Sequence, residues 1–194
     1  RVLANRMKEA VHEFVSECQK GFVPDVFIAE ATALLKLVEA YTNEDGENRK
    51  GILLFLDMEK AFDRVSYDFT LSGLKAFGFG KRFRGWVKMM YDTENAPRRR
   101  MYVNGYYSDE FTIRSGVAQG CPLSPLLFLV VAEALRVSVD MEKGLKGINI
   151  GKSYFKLSQF ADDTTIIMGH KKEIALANKA IQRWCRATSM RENI

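Results

Sequence analysis

Asp57, Asp162 and Asp163 are the residues whose types and spacing point most directly to chemistry. Asp162 and Asp163 are adjacent, set between the apolar approach Phe160-Ala161 and the apolar run Ile166-Ile167-Met168. Paired acids at a bend have an ordinary explanation, because short acidic side chains favour tight turns for local reasons. A third acid changes the weight. Residues 51–56, Gly-Ile-Leu-Leu-Phe-Leu, form a continuous apolar run of the kind expected for a strand buried on both faces, and the run stops at Asp57. With that strand beside the Asp162-Asp163 hairpin, three carboxylates meet at one sheet edge, where their repulsion is costly unless cations neutralise it. Hard oxygen ligands suit Mg²⁺, which keeps positions open for water and substrate phosphates when few carboxylates hold it. Two such ions about 3.5–4 Å apart serve an in-line phosphoryl displacement, so the chemistry implied is nucleotidyl transfer.

Four ordered blocks surround or contain these acids. They are Leu3-Ala-Asn5-Arg6-Met7 with Gln19-Lys-Gly21-Phe22-Val-Pro24, then Leu54-Phe-Leu-Asp57-Met-Glu-Lys-Ala-Phe62-Asp63, then Ser115-Gly-Val-Ala-Gln119-Gly120-Cys-Pro122-Leu-Ser-Pro125, and last Phe160-Ala-Asp162-Asp163. In type and order they resemble the reverse transcriptases, specifically the LINE-type enzymes of non-LTR retrotransposons, over residues 1–194. The resemblance implies an α+β fold: a reverse-transcriptase palm, with an antiparallel sheet packed on helices and part of the fingers. Residues 1–50 would be fingers-to-palm helices and 51–194 the palm of one domain, with most of the fingers and the thumb outside the chain. A fragment so defined is expected to bind Mg²⁺ weakly and to polymerise poorly by itself.

The implied activity is RNA-directed DNA polymerisation with two Mg²⁺ ions, for which Mn²⁺ substitutes. The implied partners are an RNA template, a DNA primer, deoxynucleotides and the remainder of a retrotransposon polyprotein. Carried over by position, Asp57, Asp162 and Asp163 are catalytic metal ligands, and Met58 offers a carbonyl to metal. The main-chain amides of Lys60 and Ala61 meet the triphosphate. Phe62 collides with a 2′-hydroxyl and so selects deoxynucleotides. Gln119 and Gly120 touch the nucleotide, while Pro122, Arg98, Arg99 and Arg100 touch template or primer. From spacing alone Phe62 reads equally as a core aromatic. Asp63 reads as a ligand or as the cap of the next helix, with Ser66 and Asp68 as rivals, and the structural role is favoured. Ser124 before Pro125 reads as a helix cap with proline at the first helical position. Where many relatives carry a basic residue before the glutamine of the third block, this chain has Ala118.

Other classes remain open on the sequence. A group II intron-type enzyme shares most of these blocks. A viral RNA polymerase would usually carry glycine before the paired acids and no aromatic gate, so Ala161 and Phe62 count against it. A catalytically silent nucleic-acid-binding relic and a small metal-dependent phosphotransferase complete the set.

Composition agrees with a polyanion-binding globular protein without requiring one. The 194 residues are 47% apolar, with 29 basic against 24 acidic side chains, a net charge of +5 and a pI near 9.1. Lys81-Arg82-Phe83-Arg84-Gly85-Trp86 and Arg98-Arg99-Arg100 interleave cations with aromatic or turn residues, as phosphate tracking with stacking requires; a solvated face is the plain alternative. Cys18, Cys121 and Cys185 are odd in number and widely spaced, which fits neither a disulfide framework nor a zinc knuckle and points to a reducing compartment. No apolar run approaches the roughly 20 residues of a membrane span, and the expected location is intracellular, cytoplasmic or nuclear. His12 and His170 stand alone and receive no catalytic role.

The elements that must position the acids follow from periodicity and turn signals. Helices are expected near 1–17, 26–42, 67–77, 81–93, 124–141 and 171–188, the fifth with a near-continuous apolar stretch from Leu126 to Leu135 that must be buried. Strands are expected at 51–57, around the Asn104-Gly105 hairpin signal, and at 147–150, 154–160 and 164–168. Residues 42–50, rich in Asn, Glu and Gly, read as a polar loop and the segment expected to be least ordered.

Overall fold

The computed structural model of the chain describes residues 1–43, 51–92, 94 and 98–193. The expected polar loop at 44–50 lies outside them; Thr42 and Asn43 belong to the preceding helix.

Residues 1–17 form two short helices rather than one: α1 (Val2–Glu9) and α2 (Val11–Phe14) are separated at Ala10, whose backbone (φ −96°, ψ −2°) turns the chain. α3 (Ile28–Asn43) follows, then β1 (Ile52–Leu56), α4 (Tyr67–Ala76) and α5 (Lys81–Met90). Two small ribbons come next. β2 (Arg98–Arg99) pairs with β5 (Phe111–Thr112), and between them β3 (Tyr102–Val103) pairs with β4 (Tyr106–Tyr107) around Asn104-Gly105. The long helix α6 (Ser124–Asp140) leads to β6 (Ile148–Ile150), β7 (Ser153–Phe155), β8 (Leu157–Phe160), β9 (Asp163–Met168) and α7 (Glu173–Thr188).

The main sheet is antiparallel with order β1-β9-β8. Its central strand is β9, where Ile166, Ile167 and Met168 are fully buried. The burial expected for β1 on both faces is not found: β1 is an edge strand, most of it half-buried, and Phe55 is 69% exposed. An apolar run shows that a strand can be buried, but its neighbours decide whether it is. The single strand expected at 154–160 is divided, because β7 pairs with β6 through Ile148↔Phe155 whereas β8 pairs with β9.

α6 packs beneath this sheet with Leu126 to Glu133, Leu135 and Val139 buried, as the apolar stretch required. α7 lies against it, and its Trp184 Nε1 donates to the Val131 carbonyl at 2.8 Å. Ser124 does not cap α6; its hydroxyl donates to the Ala118 carbonyl at 2.7 Å, which fixes the turn before the helix instead. All three cysteines are free. Among the described residues no helix is long and apolar enough to cross a membrane.

The far end of α6 is tied to α7 by charge. Glu142 accepts from Arg183 at 2.6 Å and from Lys179 at 3.2 Å, and the Arg183 bond, then Lys179, holds its carboxyl below the ordinary carboxylate value. A carboxyl with a lower folded-state pKa stabilises the fold above its unfolded value of about 4.3, and that contribution is lost as pH falls through the folded value. The urea midpoint of Glu142→Gln is therefore expected to lie below wild type at pH 7, with the gap closing below about pH 4.

Candidate active site

The register of β1 on β9 sets the site. Leu56 pairs with Thr164, so the next positions along the two strands are Asp57 and Asp163, and directly opposed residues share a face. Phe160 pairs with Asp163, leaving Ala161 and Asp162 as a two-residue turn between β8 and β9. The only positive φ of that turn falls on its first residue (Ala161, φ 58°), the pattern of a II′-like hairpin turn. All three acids therefore come to one end of the sheet. Asp57 and Asp163 are exposed and Asp162 is half-buried.

Residues 191–193 run antiparallel to 57–59. Asn193 N donates to the Asp57 carbonyl at 3.0 Å and Glu59 N to the Arg191 carbonyl at 3.0 Å, around the bridge Met58↔Glu192. In such a non-hydrogen-bonded pair the amide and carbonyl of Met58 face the other way, toward the β9 side. The Asn193 side chain also engages the acid itself, Nδ2 donating to Asp57 Oδ2 at 2.8 Å. Asn193→Ala is expected to lower any activity that uses Asp57 by about 10- to 100-fold, as loss of a group orienting a metal ligand does, with little change in melting; steady-state rates and a thermal scan check both.

As a donor set the edge fits a hard divalent cation, since its groups are carboxylate oxygens open to solvent with no nitrogen or sulfur among them. In the structure they are not closed into a cluster: among the described residues no three Asp, Glu, His or Cys side chains are grouped tightly enough to hold an ion. The edge is also an open surface. A cleft of about 720 Å³ elsewhere on the chain is lined by Cys18, Lys20, Arg136, Asp140 and Lys156 and includes none of the three acids.

Beyond Asp57 the chain turns at Lys60 (φ 50°), whose carbonyl accepts from Asp63 N and Arg64 N, into a 3₁₀ turn over Ala61–Arg64. Lys60 is exposed and Ala61 buried. Phe62 is half-buried, stacked on Phe128 (4.8 Å, 17°) and met edge-on by Phe22 (5.9 Å, 89°). It is thus both a packed aromatic and a partly open one. Asp63 does not cap the next helix. Ser66 does, accepting from Phe69 N at 3.3 Å, while the Asp63 main-chain carbonyl accepts from Ser115 Oγ at 3.1 Å.

That last contact belongs to a docking of the third sequence block on the second. Gly116 N donates to the Val65 carbonyl and Val117 N to the Phe62 carbonyl, each at 2.8 Å. Gly116 has φ +87°, and a Cβ there would lie 2.6 Å from the Asp63 carbonyl oxygen, so this approach needs glycine. Gln119 and Gly120 follow two and three residues after Val117 in an exposed turn, with Pro122 exposed beside them. Arg98, Arg99 and Arg100 are exposed on or next to the β2–β5 ribbon, where Glu110 pairs with Arg98 at 3.4 Å and Arg100 at 3.0 Å. No hydrogen bond or ion pair among the described residues joins these arginines to the three acids.

Two residues at the site received no individual role from the sequence. One is Asn193, near the end of the chain with no motif around it. The other is Gln19, buried to 2% exposure, whose side chain reaches the Ala161 peptide. Its signal was its place at the head of the Gln19-Lys-Gly21-Phe22 block, to which no role for Gln19 was attached.

Three acids thus stand at one sheet end, backed by a buried helix and followed along the chain by an aromatic and a glycine-bearing turn. Residues 1–193 match the family model for reverse transcriptase (RNA-dependent DNA polymerase), and the chain belongs to that family. It is 27% identical over its whole length to the transposon TX1 uncharacterized 149 kDa protein of Xenopus laevis, covering 14% of that protein. It is 30% identical, over 85% of its length, to the Pol polyprotein of the type-2 retrotransposable element R2DM of Drosophila melanogaster, covering 15% of it. The chain thus spans about a seventh of these relatives. Its fold matches apo telomerase from Candida tropicalis over the whole chain with a TM-score of 0.68 at 12% identity, covering 35% of that structure. The fold is that of a reverse-transcriptase palm with part of the fingers.

Proposed function

We propose that this chain is the palm region of an RNA-directed DNA polymerase of a non-LTR retrotransposon, with residues 1–50 as the fingers-to-palm region and 51–194 as the palm. The observation that carries the reading is the register of β1, β8 and β9, which brings Asp57, Asp162 and Asp163 to one sheet end within a family of template-copying enzymes. The reaction joins a primer 3′-oxygen to the α-phosphorus of a deoxynucleoside triphosphate and releases pyrophosphate.

Asp57, Asp162 and Asp163 would hold two Mg²⁺ or Mn²⁺ ions, with the Met58 carbonyl as a further oxygen. Bound there, such ions lower the pKa of the attacking hydroxyl and offset charge on the leaving oxygen. The chain's own contribution is placement. Asn193 orients Asp57, and the two-residue turn aims Asp162 and Asp163. The Lys60 and Ala61 amides follow Asp57 closely enough to receive the triphosphate, and the exposed Gln119-Gly120 turn, docked through Val117 on Phe62, offers a surface for base and template. Pro122 extends that surface, and Arg98, Arg99 and Arg100 supply cationic charge for phosphates further along. The open edge suits a nucleic-acid duplex better than a small metabolite. The template, primer and deoxynucleotides would be met inside the cell.

In this reading Phe62 would sense the sugar. It stacks on Phe128 and meets Phe22 edge to face, contacts that resist its swinging away from a bulkier substituent. Phe62→Ala is expected to reduce the preference for deoxynucleotides over ribonucleotides by about 100-fold, the scale on which an added hydroxyl is sensed by an apolar wall. Single-nucleotide incorporation kinetics on an RNA template measure it. The proposal itself is tested with the longest reading frame that encodes this chain. Given a primed RNA template, Mg²⁺ and deoxynucleotides, it should extend the primer, and substituting ribonucleotides should stop it. Extension with ribonucleotides alone would overturn the deoxynucleotide reading.

A further inference from the structure

We propose that Gln19 is a positioning residue for the paired acids: its side-chain amide holds the Ala161 peptide and thereby sets the direction in which Asp162 and Asp163 project. The inference rests on the polymerase reading for its consequence and on the chain's own geometry for its premise.

Gln19 is nearly inaccessible, and every polar atom of its side chain is used. Oε1 accepts from Ala161 N at 2.9 Å and from Gly21 N at 2.7 Å, while Nε2 donates to the Ala161 carbonyl at 3.1 Å. One side chain thus grips both ends of one residue, and that residue is the first of the two-residue turn. Ala161 has φ +58°, uncommon for a residue with a Cβ, and such a conformation persists where its surroundings over-determine it. The Gln19 amide supplies that constraint. A hairpin turn left to itself would relax, and the carboxylates one and two residues on would move with it.

The grip is anchored on its other side. Gln159 N donates to the Cys18 carbonyl and Lys20 N to the Gln159 carbonyl, each at 2.8 Å, so residues 18–20 run parallel to β8 as a short added strand. Ser16 donates through N and Oγ to the buried Glu133 of α6 at 3.1 and 3.0 Å. Burial pushes the neighbouring Cys18 thiol up to about 11, so it stays neutral packing. Gly21 completes the fit, because a Cβ there would lie 2.1 Å from Ala161 N. One residue further, Phe22 meets Phe62 edge-on, so the segment touches the acid-bearing turn and the aromatic beside Asp57 in succession.

Only an amide does this at neutral pH. The site demands an acceptor for two N–H groups and a donor for one carbonyl on the same planar group. A carboxylate accepts but cannot donate, whereas a protonated carboxyl restores both, and burial raises the pKa of a carboxyl placed there. Gln19→Glu is therefore expected to recover activity as pH falls from 9 to 6, measured against wild type at each pH, whereas Gln19→Leu stays low throughout.

The experiment uses the longest reading frame encoding this chain, with both variants compared to wild type in RNA-templated primer extension and in hydrogen exchange read on peptides. Gln19→Leu should lower kcat about 10- to 100-fold and raise the Mg²⁺ needed for half-maximal rate, with KM for deoxynucleotides and affinity for template within about 2-fold of wild type. Exchange should quicken in the peptide spanning residues 157–166 and remain unchanged over β1 and α6. Wild-type kcat in Gln19→Leu, or quickened exchange spread equally over β1, α6 and the turn, would overturn the proposal, the second by showing a general structural role. If wild type itself fails to extend primers, the polymerase reading fails, and the exchange pattern alone still decides whether Gln19 holds the turn.

Discussion

Asp57→Asn is expected to lower primer extension by at least about 1,000-fold while shifting the urea midpoint by no more than about 0.5 kcal/mol of stability. The Asp57 side chain is exposed just beyond the end of β1, so its replacement removes charge rather than structure. The partner it has in the fold is tolerant: the Asn193 Nδ2 that donates to Asp57 Oδ2 finds an amide oxygen just as well. What the amide cannot do is hold a hard divalent cation as a carboxylate does, and charge stabilisation of that kind is worth several kcal/mol in a phosphoryl displacement. Steady-state extension rates and denaturant melts on the same preparations separate the two effects. A variant that keeps a tenth of wild-type activity would remove Asp57 from the proposed metal site.

The opposite split is expected of Trp184→Ala. Trp184 is 3% exposed in the interface of α7 with α6, and its indole N–H donates to the Val131 carbonyl. Removing the ring leaves a cavity in a close-packed core, at a cost of about 3–5 kcal/mol. That is a large part of the roughly 5–15 kcal/mol by which a domain of this kind is stable. The chain should melt early in urea, and activity should fall in proportion to the unfolded fraction and not below it. A midpoint close to wild type would mean that α7 is not a structural wall of the palm.

The two variants mark what could be read in the sequence. The acids were legible because each stands where an apolar run breaks, and local pattern alone marks such breaks. The Asn104-Gly105 hairpin and the apolar face of α6 were legible for the same reason. β1 was misjudged because an apolar run does not state how many neighbours it has, and Phe55 lies exposed on an edge. The break between β7 and β8 was missed because it comes from two different partners, β6 and β9, pulling on one continuous run. Ser124 and Asp63 were assigned local capping roles, yet the Ser124 hydroxyl reaches back to Ala118 and the Asp63 carbonyl receives Ser115. The contacts of Gln19, although it heads a quoted block, and of Asn193 were illegible in a stronger sense. The two residues meet Ala161 and Asp57 across 142 and 136 residues of chain, and nothing in local composition announces a contact of that range.

The central claim is that the turn bearing Asp162 is the working end of an RNA-copying DNA polymerase. The most direct measurement is RNA-templated primer extension by the longest reading frame encoding this chain, run beside Asp162→Asn with template binding recorded for both. Extension by wild type, its loss in the variant and equal template binding are the predicted results; equal extension by both proteins, or template binding without extension by wild type, would contradict the account.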